Sequence, residues 1–592
     1  MPRNLLRLRW ALGLTGVAVV LLAGVLAYQA VQARTALLTV AGDFQHLADS
    51  VRSGDEQSAR TALDSAREES RRAENATDGV LWSAATQAPV LGDDVDAVRT
   101  VAQVSRTLSD DALGGVVAAS EAVNPEQLSP RHGRISLAPL TKVAPTIVAA
   151  DEQLHAQADR VDQIDTGALV AQLASPVEEM QRKLSAAATL SSRASYAVRL
   201  LPPMLGADGP RNYLVLFQNN AEIRATGGIP GALAVMRADR GKLSLVRQGT
   251  ASDLGIHQKP PIPLTREETA LYERKLGTYG ADINFTPDFP RTAELAQAMW
   301  RVTKGQKVDG VLSADPVALS YLLEATGPVR VPGGVTLSSG NAVDVLLSDV
   351  YRRQADPEKQ NFFFASAART VFTAVVSGRA DPSALLDGLT RGATDGRLFA
   401  WSDVPAEQRL LEETPLAGAV PRQAGPSPYV GVFMNDGTAA KMEYYLDHRV
   451  DVKPVGCNSE GRQELEVTVT VKSDAPRRAA DLPVSVIGPR KGKSWFGVEP
   501  GHMRLNVHLY APIGGWIRAS AVDGQETPLN ELEHDGHPVG SQTVDLGPGE
   551  ARRLTYTVMT GVQQPGPVEL RVTPGAHGSG VGDVAPNACG GS

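Results

Sequence analysis

Hydrophobic and polar positions follow four regimes along the chain. Residues 1–9 carry Arg3, Arg7 and Arg9 and lead into an uncharged run, Trp10 to Val31, long enough at about 1.5 Å per residue to cross a bilayer core of about 30 Å. Over 34–200 apolar positions recur at three-to-four spacing, Val95, Val98, Val101 and Leu108 in one stripe and Val177, Met180 and Leu184 in another, which predicts an extracytoplasmic bundle or stalk of about four to six helices. Helix starts are expected at the capping boxes Ser53 with Glu56, Asn124-Pro125 with Gln127, and Ser175-Pro176 with Glu178.

Leu201-Pro202-Pro203 to Asp208-Gly209-Pro210 marks a boundary. Over 211–403 apolar runs of strand length alternate with helical stretches, which predicts a layered α/β domain: strands over Tyr213–Phe217, Ala232–Met236, Lys242–Gln248 and Asp309–Ser313, and helices begun by Asp315-Pro316, Ser339, Asp356-Pro357 and Asp381-Pro382. Over 440–592 the period becomes two, with Leu465, Val467, Val469 and Val471 on one face. That predicts an immunoglobulin-like β-sandwich.

At 592 residues the chain has room for about three to four domains. A net charge of −8 leaves no basic face for nucleic acid, which removes that class of partner. The basic residues before the apolar run keep that end in the cytoplasm and place the bulk of the chain outside, as a single-pass membrane protein. Val31-Gln32-Ala33 is an alternative signal-peptidase site, but the run is longer than the 7–15 residues of a cleaved core. Cys457 and Cys589 suit one structural disulfide in an oxidising compartment; two free buried thiols are the alternative.

The candidate chemistry gathers at the tip between the first two strands, where Gln218, Asn219, Asn220, Glu222, Arg224 and Thr226 precede Gly227 and Gly228. Gly-Gly permits positive φ or a close backbone approach, successive N–H groups can cradle an anion, and Arg224 offers a charged fork for phosphate or carboxylate. The plainer reading is a tight connection between strands. Asp253 is open between a metal-holding carboxylate and a loop residue, and Asp356 between a Mg²⁺ ligand and a helix cap. Asp288 reads as a helix start, and His534 and His537 as a polar loop before a metal site.

Tyr213-Leu214-Val215-Leu216-Phe217-Gln218-Asn219-Asn220, Glu222, Arg224, Thr226-Gly227-Gly228, Asp309-Gly310-Val311 and Ala325-Thr326-Gly327-Pro328-Val329 together resemble the domain-of-unknown-function 4012 family of bacterial envelope proteins, and the flanking regions look like its actinobacterial members. A more distant likeness, in element order, is to the LytR-CpsA-Psr family of membrane-anchored phosphotransferases, which move glycopolymers from polyprenyl-pyrophosphate carriers onto the cell wall with arginines, aspartates and a divalent metal. That resemblance implies Arg224, Asp253 and Lys359 as catalytic residues, Asn219, Asn220, Glu222, Thr226, Gly227, Gly228 and Asn284 as ligand-binding, and Asp253 and Asp356 as metal-holding. Here no Ser-Ile-Pro-Arg-Asp string follows the third strand, and Lys359 stands where the family has arginine. Three functions remain open: a phosphotransferase or pyrophosphatase acting on lipid-linked glycopolymer, a non-catalytic scaffold or adaptor binding envelope polymer, wall glycan or carrier lipid, and a sensor or assembly component working through the bundle.

Overall fold

The computed structural model describes residues 3–53, 55–89, 91–115, 117, 130, 133–488 and 497–589, with side chains from residue 21 onward, Arg52 excepted. The chain forms two compact units, one of Met1–Leu128 with Ser136–Pro202 and the other of Ser129–Ile135 with Pro203–Ser592.

The first unit is helical. One continuous helix, Arg3–Ser53, contains the apolar run, and its segment Leu21–Val51 is long and apolar enough to cross a membrane. This is compatible with a single-pass anchor. Burial changes along it: Leu21, Tyr28 and Val31 are exposed, whereas Ala33, Ala36, Val40 and Leu47 are buried against neighbouring helices. The next helix, Glu56–Thr77, is capped by Asp55, whose carboxylate accepts from Ser58 N at 3.0 Å. Ser53 does not cap it, because Ser53 ends the preceding helix and its hydroxyl donates to Ser50 O. Helices Gly92–Thr107, Ala138–Asp162 and Ala171–Met204 follow, with a core of Val104, Leu108, Leu154, Val161, Val177 and Leu184. The last begins at Ala171 and runs through Pro176, so Ser175 is not its start. The expected start at Asn124-Pro125 lies outside the described residues.

The second unit opens with a five-stranded mixed sheet. Its strands are β1 (Arg211–Arg224), β2 (Gly227–Asp239), β3 (Lys242–Thr250) and β4 (Gly310–Ala314); β5 (Val329–Arg330) and β6 (Thr336–Leu337) form a separate hairpin, and β7 (Leu398–Ser402) completes the sheet in the order β3-β2-β1-β4-β7. β1 pairs antiparallel with β2 and parallel with β4. Helix Phe289–Lys304 packs Phe289, Ala293, Leu295 and Trp300 onto Leu214, Leu216, Leu233 and Val235 of the sheet. A second core, with Leu323, Val329, Leu337, Leu346 and Val371, holds helices Pro316–Thr326 and Pro357–Val376. The Asp-Pro starts are borne out: Asp315, Asp356 and Asp381 each accept a backbone N–H from the first turn of the helix they precede, and Pro at the first helical position lacks only a donor that would be unpaired there anyway.

The β-rich remainder is two facing sheets: β8 (Tyr429–Asp436), β9 (Leu446–Cys457), β10 (Gln463–Ser473), β11 (Met503–Tyr510), β12 (Trp516–Val522), β13 (Gln525–Glu526), β14 (Asn530–His534), β15 (His537–Leu546), β16 (Ala551–Met559), β17 (Glu569–Val572) and β18 (Val581–Val584). The sheets run β13-β12-β16-β10-β9-β18 and β14-β15-β11-β8-β17. Leu465, Val467, Val469 and Val471 of β10 are all fully buried, and meet Val432, Val507 and Leu509 of the other sheet in one core. Each such side chain contributes about 1.5–3 kcal/mol relative to exposure. Asp535 and Gly536, both at positive φ, make the two-residue turn between β14 and β15, which spends the His534–His537 spacing on a hairpin. The disulfide joins Cys457, at the end of β9, to Cys589 in the tail, with Cα atoms 5.2 Å apart.

Candidate functional site

The polar tip that the sequence suggests is a loop is strand. β1 runs through Arg224 and β2 starts at Gly227, so only Ala225 and Thr226 turn the hairpin. Register shifts at Phe217/Gln218 and Asn219/Ile223 break the two-residue alternation, and the polar residues turn inward instead of into solvent. Gln218, Asn219, Asn220, Glu222, Arg224, Thr226 and Asn284 are all buried. Gly227 sits at φ +133°, and a Cβ on Gly228 would lie 2.2 Å from the Asn219 backbone, so both glycines are required by conformation and close approach.

These residues bond chiefly to one another. Gln218 donates to Ser313 Oγ and accepts from Gly228 N at 2.8 Å. Asn284 donates to Thr226 Oγ1 at 3.1 Å and to Gly228 O at 2.6 Å. Asn219 donates to Tyr351 Oη at 2.6 Å, and Asn220 to Asp315 Oδ2 at 3.0 Å, where the Arg397 guanidinium also donates at 2.7 Å. The binding candidates thus come together in one buried polar network, in which the Asn220 and Asn284 amide oxygens have no hydrogen-bond partner among the described residues.

Arg224 is the centre of a charged cluster. Its guanidinium donates to Glu222 Oε1 at 3.1 Å and to Asp282 Oδ1 at 3.4 Å, lies 3.8 Å from Asp436 Oδ2, and stacks 4.8 Å from the Phe285 ring centroid. Lys441 donates to Glu222 Oε2 at 3.3 Å and covers the Tyr351 ring. Glu443 is 1 % exposed, and neither of its carboxylate oxygens has a hydrogen-bond partner among the described residues. Burial pushes the carboxyl of Asp436 up to about 7, against the pull of Arg224. Burial and then the neighbouring Asp436 push Glu443 well above the usual carboxylate range. For Arg224 burial acts downward, but Glu222, Asp282 and Asp436 outweigh it and raise its pKa, so it stays a cation.

The three candidate catalytic residues occupy separate settings. Asp253 closes a capping box with Thr250, whose N–H it accepts at 2.8 Å, and pairs with Lys304. Lys359 is exposed on the first turn of helix Pro357–Val376. Among the described residues, no hydrogen bond or ion pair links Arg224, Asp253 and Lys359. The two carboxylates suggested for Mg²⁺ do not fit that ion: one oxygen of Asp253 is taken by an ammonium, and Asp356 bonds to Glu358 N as a helix cap. Among the described residues no group of three or more His, Cys, Asp or Glu is placed to hold a metal. Accordingly, Lys359→Ala is expected to shift stability by less than about 0.5 kcal/mol, and Asp253→Ala to cost about 1 kcal/mol through the lost cap, both read from urea midpoints.

Several residues of the cluster carry no local sequence signal. Asp282, Asp436, Lys441 and Glu443 reach Arg224 and Glu222 from distant parts of the chain; the one hint is Asn435-Asp436 ending an apolar strand, where a buried charge demands a partner. Asp288 precedes its helix as expected, yet its carboxylate turns to Val420 N and Arg422 instead of capping.

Residues 208–351 match the family model described as Protein of unknown function (DUF4012). The DUF4012 segment takes in β1, β2, Arg224, Asp282, Asn284 and Tyr351, and ends before Asp436, Lys441 and Glu443. The central cluster is therefore built half from the DUF4012 segment and half from β8 and the turn that follows it. Compared with the curated proteins and with the solved structures, the chain finds no match.

Proposed function

We infer that the chain is a membrane-anchored, non-catalytic scaffold or adaptor of the cell envelope, with its N-terminus cytoplasmic, its bulk outside, and an immunoglobulin-like sandwich at its C-terminal end. The observation that carries the scaffold reading is the enclosure of Arg224. A pyrophosphate-handling arginine must present its fork to phosphate oxygens, whereas this one is 3 % exposed and faces Glu222, Asp282 and Asp436. An entering phosphate would displace those carboxylates and then sit beside them, a like-charge contact in a dry space. The glycine-rich turn supports the same reading, since the Gly228 N–H is already donated to Gln218.

The partner proposed is an envelope polymer or its polyprenyl-linked carrier. The test is the full chain in detergent with a polyprenyl-pyrophosphate analogue, with and without Mg²⁺, following retention and phosphate-bond cleavage in the same samples. Retention without cleavage is expected. Mg²⁺-dependent cleavage that Asp253→Asn abolishes at unchanged melting temperature would overturn the scaffold reading in favour of a transferase.

A further inference from the structure

The charged cluster lies where the sheet-and-helix layer meets the two β-rich sheets. Glu222 and Arg224 come from β1, Asp282 from the segment ahead of helix Phe289–Lys304, Asp436 from β8, and Lys441 and Glu443 from the turn between β8 and β9. Tyr351 faces Lys441 from helix Val350–Arg353, and Lys275 acts on Asp282 from further off. Four carboxylates thus meet two cations. Glu443 Oε1, Glu443 Oε2 and Asp436 Oδ2 have no hydrogen-bond partner among the described residues. Full ionisation would leave two negative charges unmatched in a space shielded from water, at a cost of several kcal/mol per ion.

The same junction is bolted by neutral bonds next to the cluster. Ala225 N donates to Asn435 Oδ1 at 2.9 Å, Asn435 Nδ2 to Phe285 O at 3.0 Å, and Thr573 Oγ1 to Ala225 O at 3.0 Å. These bonds tie the hairpin tip of β1 and β2 to the strands that carry the excess acid. Whatever the cluster does electrostatically, the hairpin tip must register.

We propose that this junction is a proton-operated latch, closed while Asp436 and Glu443 each hold a proton and loosened when the first of those protons leaves. The sign follows from the direction of the shifts. A carboxyl raised in the closed state contributes stability that is fully present below its ordinary value near 4 and is lost as pH rises through the raised one, about 7 for Asp436. The latch is therefore tight in mildly acid surroundings and slack in alkaline ones. Lys441 and Arg224 set the number of protons needed: they offset two of the four charges, and two protons, one on each member of the acid pair, balance what remains.

Hydrogen exchange of the full chain in detergent tests this, with rates corrected for the intrinsic effect of pH. Between pH 6 and 8.5, amide protection over 218–230, Ala225 included, is expected to fall about ten-fold, the change a single carboxyl near 7 supplies. Protection in helix Ala138–Asp162, which belongs to the other compact unit, is expected to hold. Asp436→Asn should flatten the dependence, whereas Glu443→Gln, which mimics the protonated carboxyl, should keep it; if the buried asparagine prevents folding, the Glu443→Gln and wild-type profiles decide. A wild-type change below about two-fold would overturn the proposal. So would an equal loss of protection in helix Ala138–Asp162, a pH dependence that survives in Asp436→Asn, or one that Glu443→Gln abolishes.

Discussion

Arg224→Ala is expected to lower stability by about 3–5 kcal/mol, the largest effect of any single substitution in the charged cluster, because it strands Glu222, Asp282 and Asp436 in a site from which water is excluded. Against a typical total of about 5–15 kcal/mol, a loss of that size would leave a substantial fraction of molecules open at 37 °C. The measurement is the urea midpoint of the β-rich transition, followed by tryptophan emission at pH 7.5. Arg224→Lys should recover only part of the loss, since an ammonium cannot bridge three carboxylates as a planar fork does. If Arg224→Ala instead melts with the wild type but loses binding of an anionic ligand, the guanidinium is a recognition group and the structural assignment falls.

The second large effect concerns the covalent link. Cys457 and Cys589 close a loop of 132 residues, and for loops of this size the chain-entropy contribution approaches about 5 kcal/mol. Cys457→Ser, Cys589→Ser and reduced wild type should therefore melt together, each about 2–5 kcal/mol below the oxidised protein. The bond also secures the tail around Gln463, which accepts from Ala588 N at 3.1 Å and donates to Gln564 O and Gly566 O. Thermal scans with and without reductant check this. Equal melting in both conditions would mean that neighbouring contacts alone hold the tail.

Much of the scaffold is legible in the sequence because it rests on local rules. The two-residue period of Leu465 to Val471 marks a buried face, the Asp-Pro pairs mark helix starts, and Gly227 and Gly228 mark a place where a side chain cannot fit. Other local signals are outcompeted. Ser53 has the look of a cap, but the helix before it has not yet ended there and Asp55 is better placed. The short edge strand Leu398–Ser402 lacks a pattern long enough to read.

The site is the part hardest to read, for a physical reason. An arginine followed by Gly-Gly looks the same whether it faces solvent phosphate or buried carboxylates; what distinguishes the two is Asp282, 58 residues later, and Asp436 in another sheet. Polar residues in Gln218 to Thr226 suggest a loop because exposed loops are polar, whereas here two register shifts let those side chains satisfy each other indoors.

The long first helix has one more implication. From Ala33 onward one face, with Ala33, Ala36, Val40 and Leu47, is packed into the bundle, while Leu21, Leu22, Val25, Tyr28 and Val31 are exposed, and no break separates the two stretches. A bundle joined to the apolar stretch through such a rod has no slack. The 21 residues from Ala33 to Ser53 span roughly 30 Å, so the bundle is carried as a stiff post whose tilt and rotation are those of the apolar stretch before it. Inserting one residue into that rod would raise the bundle by about 1.5 Å and swing its face by about 100° around the helix axis, turning height and heading into quantities that a single insertion can dial.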